Sequence, residues 1–195
     1  MNDTFATIRS AITDDPVNAA AAQRGWMPLY TATSNARIVI VGQAPGVRAQ
    51  ESGIPWNDAS GATLRSWLGV TDEEFYDSGT ISLLPMDFYF PGRGRTGDLP
   101  PRRGFAAAWH PRLLTLMPHV QLTLLIGNYA QNHYLGSAAK PTLTETVRSF
   151  REYLPSKMPL PHPSPLNFRW QAKNPWFVEE VLPTLGANVR RALKG

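Results

Sequence analysis

The chain has 195 residues, a formal net charge of +4 and a pI near 9.6. Its length suits one domain, 1–195, and its 43% of hydrophobic residues is typical of a globular protein. This small excess of positive charge is compatible with a polyanionic partner. The absence of cysteine excludes disulfides, cysteine-held iron–sulfur clusters and cysteine-ligated zinc.

The sequence predicts neither a signal peptide nor a membrane span. The N-terminus has no basic region followed by a long apolar stretch, and the longest apolar run, around 122–126, is too short to cross a bilayer. We therefore expect a cytoplasmic protein without a membrane anchor, and we expect a monomer.

The predicted elements alternate between helices and strands. Two short helices broken at Pro16 occupy about 3–24, and a β-branched strand follows at 37–42. Helices are predicted from Val47 and over 59–68, a second strand over 80–84, and a helix over 101–117 after a long loop. A third strand at 121–126, helices near 128–135 and 144–154, a fourth strand at 157–160 and a helix at 175–193 complete the chain.

This alternation predicts an α/β fold: a three-layer αβα sandwich with a central four-stranded parallel sheet. The continuous apolar strands agree, because parallel strands are covered on both faces. The loops after the first, second and fourth strands then lie at the carboxyl edge of the sheet, where ligands of open α/β folds bind.

The loop Gly42–Gly46 (Gly-Gln-Ala-Pro-Gly) follows the first strand and precedes a helix. Its glycines allow a ligand to approach the backbone closely. It lacks the lysine of a Walker loop and the third glycine of a dinucleotide fingerprint, so neither of those nucleotide sites is predicted.

The next segment, 53–61, contains an aromatic residue two positions before a carboxylate, Trp56 and Asp58. Asp58 can cap the following helix and Trp56 can be a core residue. Alternatively, Trp56 stacks on a planar base while Asp58 stabilises an oxocarbenium-like transition state and orients water. The sequence favours the second interpretation modestly.

His162 lies in the stretch 161–167 (Pro-His-Pro-Ser-Pro-Leu-Asn), where three prolines restrict the backbone. A histidine held in this way can act as a fixed hydrogen-bond donor. We expect His110, His119 and His133 to be structural. No set of histidines and carboxylates has the spacing of metal ligands, so no metal or other cofactor is expected.

Four arginines crowd the segment 93–103, with Asp98 as its one acid: Arg93, Arg95, Arg102 and Arg103. Guanidinium groups suit bidentate contacts with phosphate. A solvated loop explains the same pattern equally well, and the sequence leaves both interpretations open.

Four segments resemble, in chain order, the signature loops of the uracil-DNA glycosylase superfamily. Gly42–Gly46 resembles the Gly-Glu-Ala-Pro-Gly motif of family 4, and 58–61 (Asp-Ala-Ser-Gly) resembles a family 5 segment with a proposed water-activating aspartate. The segment 125–131 resembles the third-strand Gly-Ser-Tyr-Ala-Gln region of family 1. His162–Leu166 is identical to the family 1 His-Pro-Ser-Pro-Leu loop.

The resemblance implies roles for individual residues. His162 would stabilise departing uracil, Leu166 would fill the gap left by a flipped base, and Asp58 would be the second catalytic residue. The expected substrate-binding residues are Gln43, Ala44, Gly46, Trp56 and Asp87. The expected DNA-binding residues are Pro163, Ser164, Pro165, Leu166, Asn167 and Arg169.

The chain also departs from these families. Ala44 replaces the family 1 aspartate, and Gly46 replaces the tyrosine that excludes the thymine methyl group, which implies a wider pocket. Gln43 replaces the family 4 glutamate, and the cysteines that hold the family 4 iron–sulfur cluster are missing. The usual asparagine after the second strand is absent, and Asp87 there is an alternative contact to the base or an alternative acid.

The resemblance therefore implies a monofunctional glycosylase that flips deoxyuridine out of DNA and hydrolyses its N-glycosidic bond, leaving an abasic site. The proposed pocket motifs contain no lysine for a Schiff base, so strand cleavage is not expected. Two alternatives stay open: a non-catalytic binder of uracil or abasic lesions in DNA, motivated by Ala44, and a hydrolase of free nucleosides or nucleotides. The uracil-containing DNA is the expected partner.

Overall fold

The computed structural model describes residues 3–194 and contains one parallel sheet in the order β2-β1-β3-β4. The strands are β1 (Ile38–Val41), β2 (Ile81–Leu83), β3 (Leu122–Ile126) and β4 (Lys157–Leu160). Ile38 of β1 is in register with Ile81 of β2 and with Leu122 of β3. On the far side of β3, Thr123 pairs with Lys157 of β4.

Helices precede, separate and follow these strands. They are α1 (Phe5–Asp14), α2 (Ala19–Ala22), α3 (Val47–Ser52), α4 (Ala59–Leu68), α5 (Asp72–Tyr76), α6 (Phe105–Thr115), α7 (Gly127–Leu135), α8 (Leu143–Arg148), α9 (Phe168–Lys173) and α10 (Leu182–Lys194). One-turn 3-10 segments occupy Pro16–Asn18, Gly136–Ala138, Phe150–Tyr153 and Pro165–Asn167, and a π turn at Phe177–Val181 leads into α10.

Local signals determine where several helices begin and end. The Asp58 side chain accepts a hydrogen bond from the Gly61 amide and starts α4, and Gly69, in the left-handed conformation at φ 68°, ends it. Thr142 and Glu145 form a capping box at the start of α8. These signals are local in sequence, which is why the bounds of α4 agree with the predicted range.

The strand residues alternate between two hydrophobic cores. Ile38 and Ile40 point into a core closed by α4, α5 and α10, whereas Val39 and Val41 point into a core closed by α1 and α6. Because each face of the sheet is covered by helices, the αβα sandwich with a four-stranded parallel sheet is confirmed.

The strand order creates a switch point between β1 and β3. The chain leaves β1 toward β2 on one side, and it leaves β3 toward β4 on the other. Connections that diverge in this way open a crevice at the carboxyl ends of the two strands. The loops that follow β1 and β3 therefore border the expected ligand site.

Three stretches differ from the prediction. The rigid loop expected after β4 is shorter, because the 3-10 turn begins at Pro165 and α9 follows directly. Helix α6 begins at Phe105 instead of 101, and α5 was not predicted. None of the helices within residues 3–194 is long and apolar enough to cross a membrane.

Candidate functional site

Trp56 is held in an unusual backbone conformation beside the first loop. Its φ is 56°, in the left-handed region that is unfavourable for a bulky residue and costs of order 1 kcal/mol. The Arg65 guanidinium donates to the Trp56 carbonyl at 3.1 Å, and the Tyr76 hydroxyl lies 3.0 Å from the same oxygen. These hydrogen bonds hold the Trp56 backbone in its strained conformation.

Two glycines make room for Trp56. A Cβ atom on Gly42 would come within 2.9 Å of the indole Cζ2 atom, and a Cβ on Gly61 would collide with the Trp56 carbonyl. The indole therefore lies directly against the start of the loop Gly42–Gly46. A side chain at position 42 would clash with the Trp56 indole, which explains why a glycine follows β1.

His162 lies between two buried prolines, Pro161 and Pro163, and is itself half-buried. Its carbonyl accepts a hydrogen bond from the Asn167 amide at 2.7 Å, which closes the loop after β4. Among residues 3–194, no side chain or backbone group forms a hydrogen bond with either ring nitrogen. The backbone of this residue is fixed and its imidazole is free to bind a ligand.

The imidazole of His162 faces Trp56, with ring centroids 5.8 Å apart and planes inclined by 31°. Burial lowers the pKa of His162 below its usual value of 6.5, and the negative charge of Asp58 partly offsets this decrease. The ring is therefore neutral at neutral pH, with one nitrogen able to donate a hydrogen bond.

A cavity of about 290 Å³ lies next to the imidazole. This volume is near the lower end of the range for small-molecule sites. The lining residues come from the segments that follow β1 and β4, from the end of β3 and from α7, α8 and α9: Gln43, Ile126, Gly127, Asn128, Tyr129, Leu143, Pro161, His162, Asn167 and Trp170. The cavity thus occupies the crevice at the switch point of the sheet.

The structure brings together some of the expected residues and separates others. Gln43 and Asn167 line the cavity with His162, but Trp56 and Asp58 are not part of its lining. Asp58 is exposed and uses one carboxylate oxygen to cap α4, at 2.9 Å from the Gly61 nitrogen. Asp58 therefore caps α4 and at the same time lies close enough to His162 to influence its charge.

The expectation that Asp87 contacts a base or activates water is wrong. Its side chain is completely buried, and Arg102 Nε and Nη2 each donate to one of its oxygens at 2.7 Å. The backbone amides of Tyr89 and Arg102 also donate to this carboxylate. Each carboxylate oxygen of Asp87 accepts two hydrogen bonds from the protein, so neither is available to a ligand.

The first loop is braced by the chain that follows β2. The Gly42 and Gln43 carbonyls accept hydrogen bonds from the amides of Met86 and Asp87. The Gln43 side chain donates through Nε2 to the Leu99 carbonyl at 3.2 Å. A Cβ on Gly46 would meet only the Asp98 carboxylate, at 3.9 Å, so the space at Gly46 is open. Ala44 is half-buried within the same loop.

The tip of the loop after β4 is strongly exposed. Leu166 is 85% exposed on its 3-10 turn, and its amide donates to the Ser164 hydroxyl at 3.2 Å. Phe168, which was not predicted as a site residue, is 61% exposed, and Arg169 is exposed next to it. Two large apolar side chains exposed on one short segment, Leu166 and Phe168, indicate a surface that contacts a partner.

Three polar or aromatic lining residues had no predicted role: Asn128, Tyr129 and Trp170. Asn128 and Tyr129 come directly after β3, and this position was the signal that could have identified them. Trp170 is fixed by a hydrogen bond from Nε1 to Thr144 at 2.9 Å, a contact across 26 residues that no local pattern reveals.

Gln131 links the two strands whose ends form the cavity. Its buried side chain donates through Nε2 to the carbonyls of Leu125 on β3 and Leu160 on β4, the latter at 2.9 Å. Because Pro159 and Pro161 have no amide hydrogens, β4 offers few backbone donors. This side chain therefore secures the chain two residues before His162.

His110 is structural, as expected. It is buried, its Nε2 donates to the Pro85 carbonyl at 3.0 Å, and its Nδ1 accepts from the Tyr134 hydroxyl at 2.7 Å. Within residues 3–194, no group of three or more histidine, aspartate or glutamate side chains is placed to hold a metal ion.

A small cavity at the switch point of a parallel α/β domain, next to a constrained histidine, is a candidate ligand-binding site at the carboxyl edge of the sheet. The family model of the uracil DNA glycosylase superfamily matches residues 28–186, and the chain belongs to this superfamily.

Among solved structures, the chain is similar to the solution NMR structure of a candidate uracil DNA glycosylase from Methanosarcina acetivorans. The two share 17% sequence identity with a TM-score of 0.44, over 83% of this chain and 93% of the other.

Proposed function

We propose that the protein is a monofunctional glycosylase that removes uracil from DNA and leaves an abasic site. The observation that carries this proposal is the His162 imidazole. It is neutral, held between buried prolines, without a hydrogen-bond partner for its ring among residues 3–194, and in contact with a cavity of about 290 Å³. A fixed neutral donor is suited to a leaving group that becomes an anion.

In the proposed reaction, the bond between the sugar C1′ and the uracil N1 breaks, and both electrons leave with uracil. Negative charge develops on the uracil oxygen O2, to which the His162 ring donates a hydrogen bond. Such a preorganised donor contributes about 2.7–4 kcal/mol to transition-state stabilisation. The positive charge that develops on the sugar is stabilised by the carboxylate of Asp58.

A water molecule completes the reaction. Its oxygen bonds to C1′, its proton passes to the Asp58 carboxylate, and the uracil anion takes a proton from solvent. The oxygen of Asp58 that does not cap α4 is available for this step. No covalent bond to the protein forms, so the DNA strand stays intact at the abasic site.

The exposed loop after β4 suits base flipping. Leu166 would enter the gap that the flipped nucleotide leaves in the stack, as apolar wedges do. Pro163, Ser164, Pro165, Asn167 and Arg169 would lie along the phosphate backbone on either side. Trp56, which faces the imidazole from outside the cavity lining, would hold the His162 ring in place, and the Gln43 amide oxygen would bind the polar edge of the base.

The space at Gly46 bears on base selectivity. Since a Cβ there meets only the Asp98 carboxylate, no bulky side chain from this position blocks the 5-position of a pyrimidine. We therefore propose a pocket that tolerates substituents at that position, with uracil as the primary substrate.

The test is release of uracil from a labelled duplex that contains one deoxyuridine, followed by alkaline cleavage of the product. The proposal expects alkali-dependent cleavage at the uracil, none without alkali, and little activity on free deoxyuridine. Equal activity on free deoxyuridine would indicate a nucleoside hydrolase instead.

One observation favours a second candidate, a non-catalytic binder of uracil or abasic lesions. The first loop has Ala44 where family 1 has its acid, and Asp58 does not line the cavity. Tight binding of the duplex without any alkali-labile product would establish this second function and overturn the first.

A further inference from the structure

The segment after β2 forms a small hairpin from Gly92 to Leu99, hereafter the arginine hairpin. The Leu99 amide donates to the Gly92 carbonyl at 2.9 Å, and the Gly94 amide donates to the Gly97 carbonyl at 2.7 Å. Between these bonds, Arg93 and Asp98 form an antiparallel bridge. The segment that the sequence presents as a long loop is therefore an ordered protrusion with Arg95 at its turn.

The arginine hairpin lies against the first loop of the site. The Gln43 side chain, which lines the cavity, donates to the Leu99 carbonyl, and the Asp98 carboxylate faces Gly46. The hairpin follows β2, whereas the Leu166 turn follows β4, and these strands are the opposite edges of the sheet. The two protrusions therefore flank the crevice from opposite sides.

Arg102, which lies outside the hairpin, differs from Arg93 and Arg95 within it. Arg102 is bound to Asp87 and to the Asn18 side chain, so it serves the fold. Arg93 is 74% exposed, and its one acidic neighbour, Asp98, is 3.9 Å away, which makes a weak surface pair. Arg95 is exposed and forms no ion pair or hydrogen bond with residues 3–194.

We infer that the arginine hairpin is a second DNA-binding element that contacts backbone phosphates across the crevice from Leu166. Free guanidinium groups on an ordered turn suit phosphate oxygens, and their exposure leaves them accessible to a duplex. Contacts on both sides of the crevice would hold the strand in place while a nucleotide leaves the stack. This inference rests on the proposed function, since it takes DNA as the substrate.

The test measures binding of a fluorescent duplex that carries a tetrahydrofuran abasic-site analogue, from about 50 to about 200 mM salt. The wild type is compared with the double variant Arg93→Ala/Arg95→Ala. Loss of two phosphate contacts should raise the Kd about tenfold at low salt. It should also reduce the slope of log affinity against log salt by about 1 to 2.

Arg37→Ala is the matched control. It removes the same kind of charge just before β1, at the amino ends of the strands and therefore away from the site at their carboxyl ends, and should leave the salt slope unchanged. The inference is overturned if the double variant binds like this control while its circular dichroism stays that of the wild type.

The inference and the proposed function can fail separately. A protein that binds the duplex but releases no uracil would disprove the glycosylase proposal. The salt slopes would still test whether the arginine hairpin contacts DNA phosphates. A wild-type protein with no affinity for the duplex would overturn both.

Discussion

A histidine and an aspartate lie beside the carboxyl end of β2 and another such pair lies beside that of β4, yet the polar groups of the two pairs have opposite arrangements. Beside β2, both ring nitrogens of His110, which belongs to α6, and both oxygens of Asp87 are bound by protein groups. After β4, the His162 ring has no partner within the described chain, and the neighbouring Asp58 is exposed. Saturated polar groups stabilise a fold, and unsaturated ones at a cavity are available for chemistry.

The largest effect on stability is expected at the β2 end. Asp87→Ala leaves the Arg102 charge without its partner, and removing one member of a buried pair typically costs 3–5 kcal/mol. Because Arg102 keeps partial contact with solvent, we expect about 3 kcal/mol, measured by urea unfolding followed by circular dichroism. Wild-type stability of this variant would contradict the assignment of Asp87 to the fold.

The corresponding change at the other aspartate should affect activity and leave stability unchanged. Asparagine caps helices as well as aspartate does, so Asp58→Asn removes the charge and keeps the start of α4. We expect the single-turnover rate of uracil release to fall about 100-fold or more, within the usual contribution of a general base. A near-normal rate would eliminate Asp58 as the general base of the reaction.

His110 should give the fold a dependence on pH. Burial lowers its pKa from 6.5 to about 4, so the unfolded chain binds a proton that the folded chain excludes between these values. The free energy of unfolding is therefore highest above pH 6.5 and decreases as the pH falls toward 4. At pH 5 the decrease is about 2 kcal/mol.

His110→Gln removes this titrating group. The difference in unfolding free energy between pH 7 and pH 5 should therefore be smaller in the variant than in the wild type. Equal pH sensitivity of the two proteins would show that the His110 ring is not excluded from protonation by the fold.

The sequence predicted the features that depend on local signals. The β-branched run of β1, the Asp58 cap and the glycine that ends α4 gave correct elements, and the proline pattern identified the constrained His162. The parallel sheet followed from the alternation of helices and strands, because crossover connections impose it.

The features that the sequence did not reveal depend on contacts between distant residues. The pairing of Asp87 with Arg102 joins two loops, and nothing near Asp87 distinguishes it from a site residue. The arginine hairpin and its contact with Gln43 across 56 residues are likewise tertiary. The strained φ of Trp56 is set by Arg65 and Tyr76, which lie 9 and 20 residues away.

The single-turnover rate of uracil release by wild type and by His162→Ala, on a duplex with one deoxyuridine, tests the account most directly. His119→Ala is the control, since this exposed histidine lies outside the cavity lining. The account predicts a 100- to 1,000-fold lower rate for His162→Ala and an unchanged rate for the control. Equal rates for all three proteins would show that the imidazole beside the cavity does not carry the chemistry.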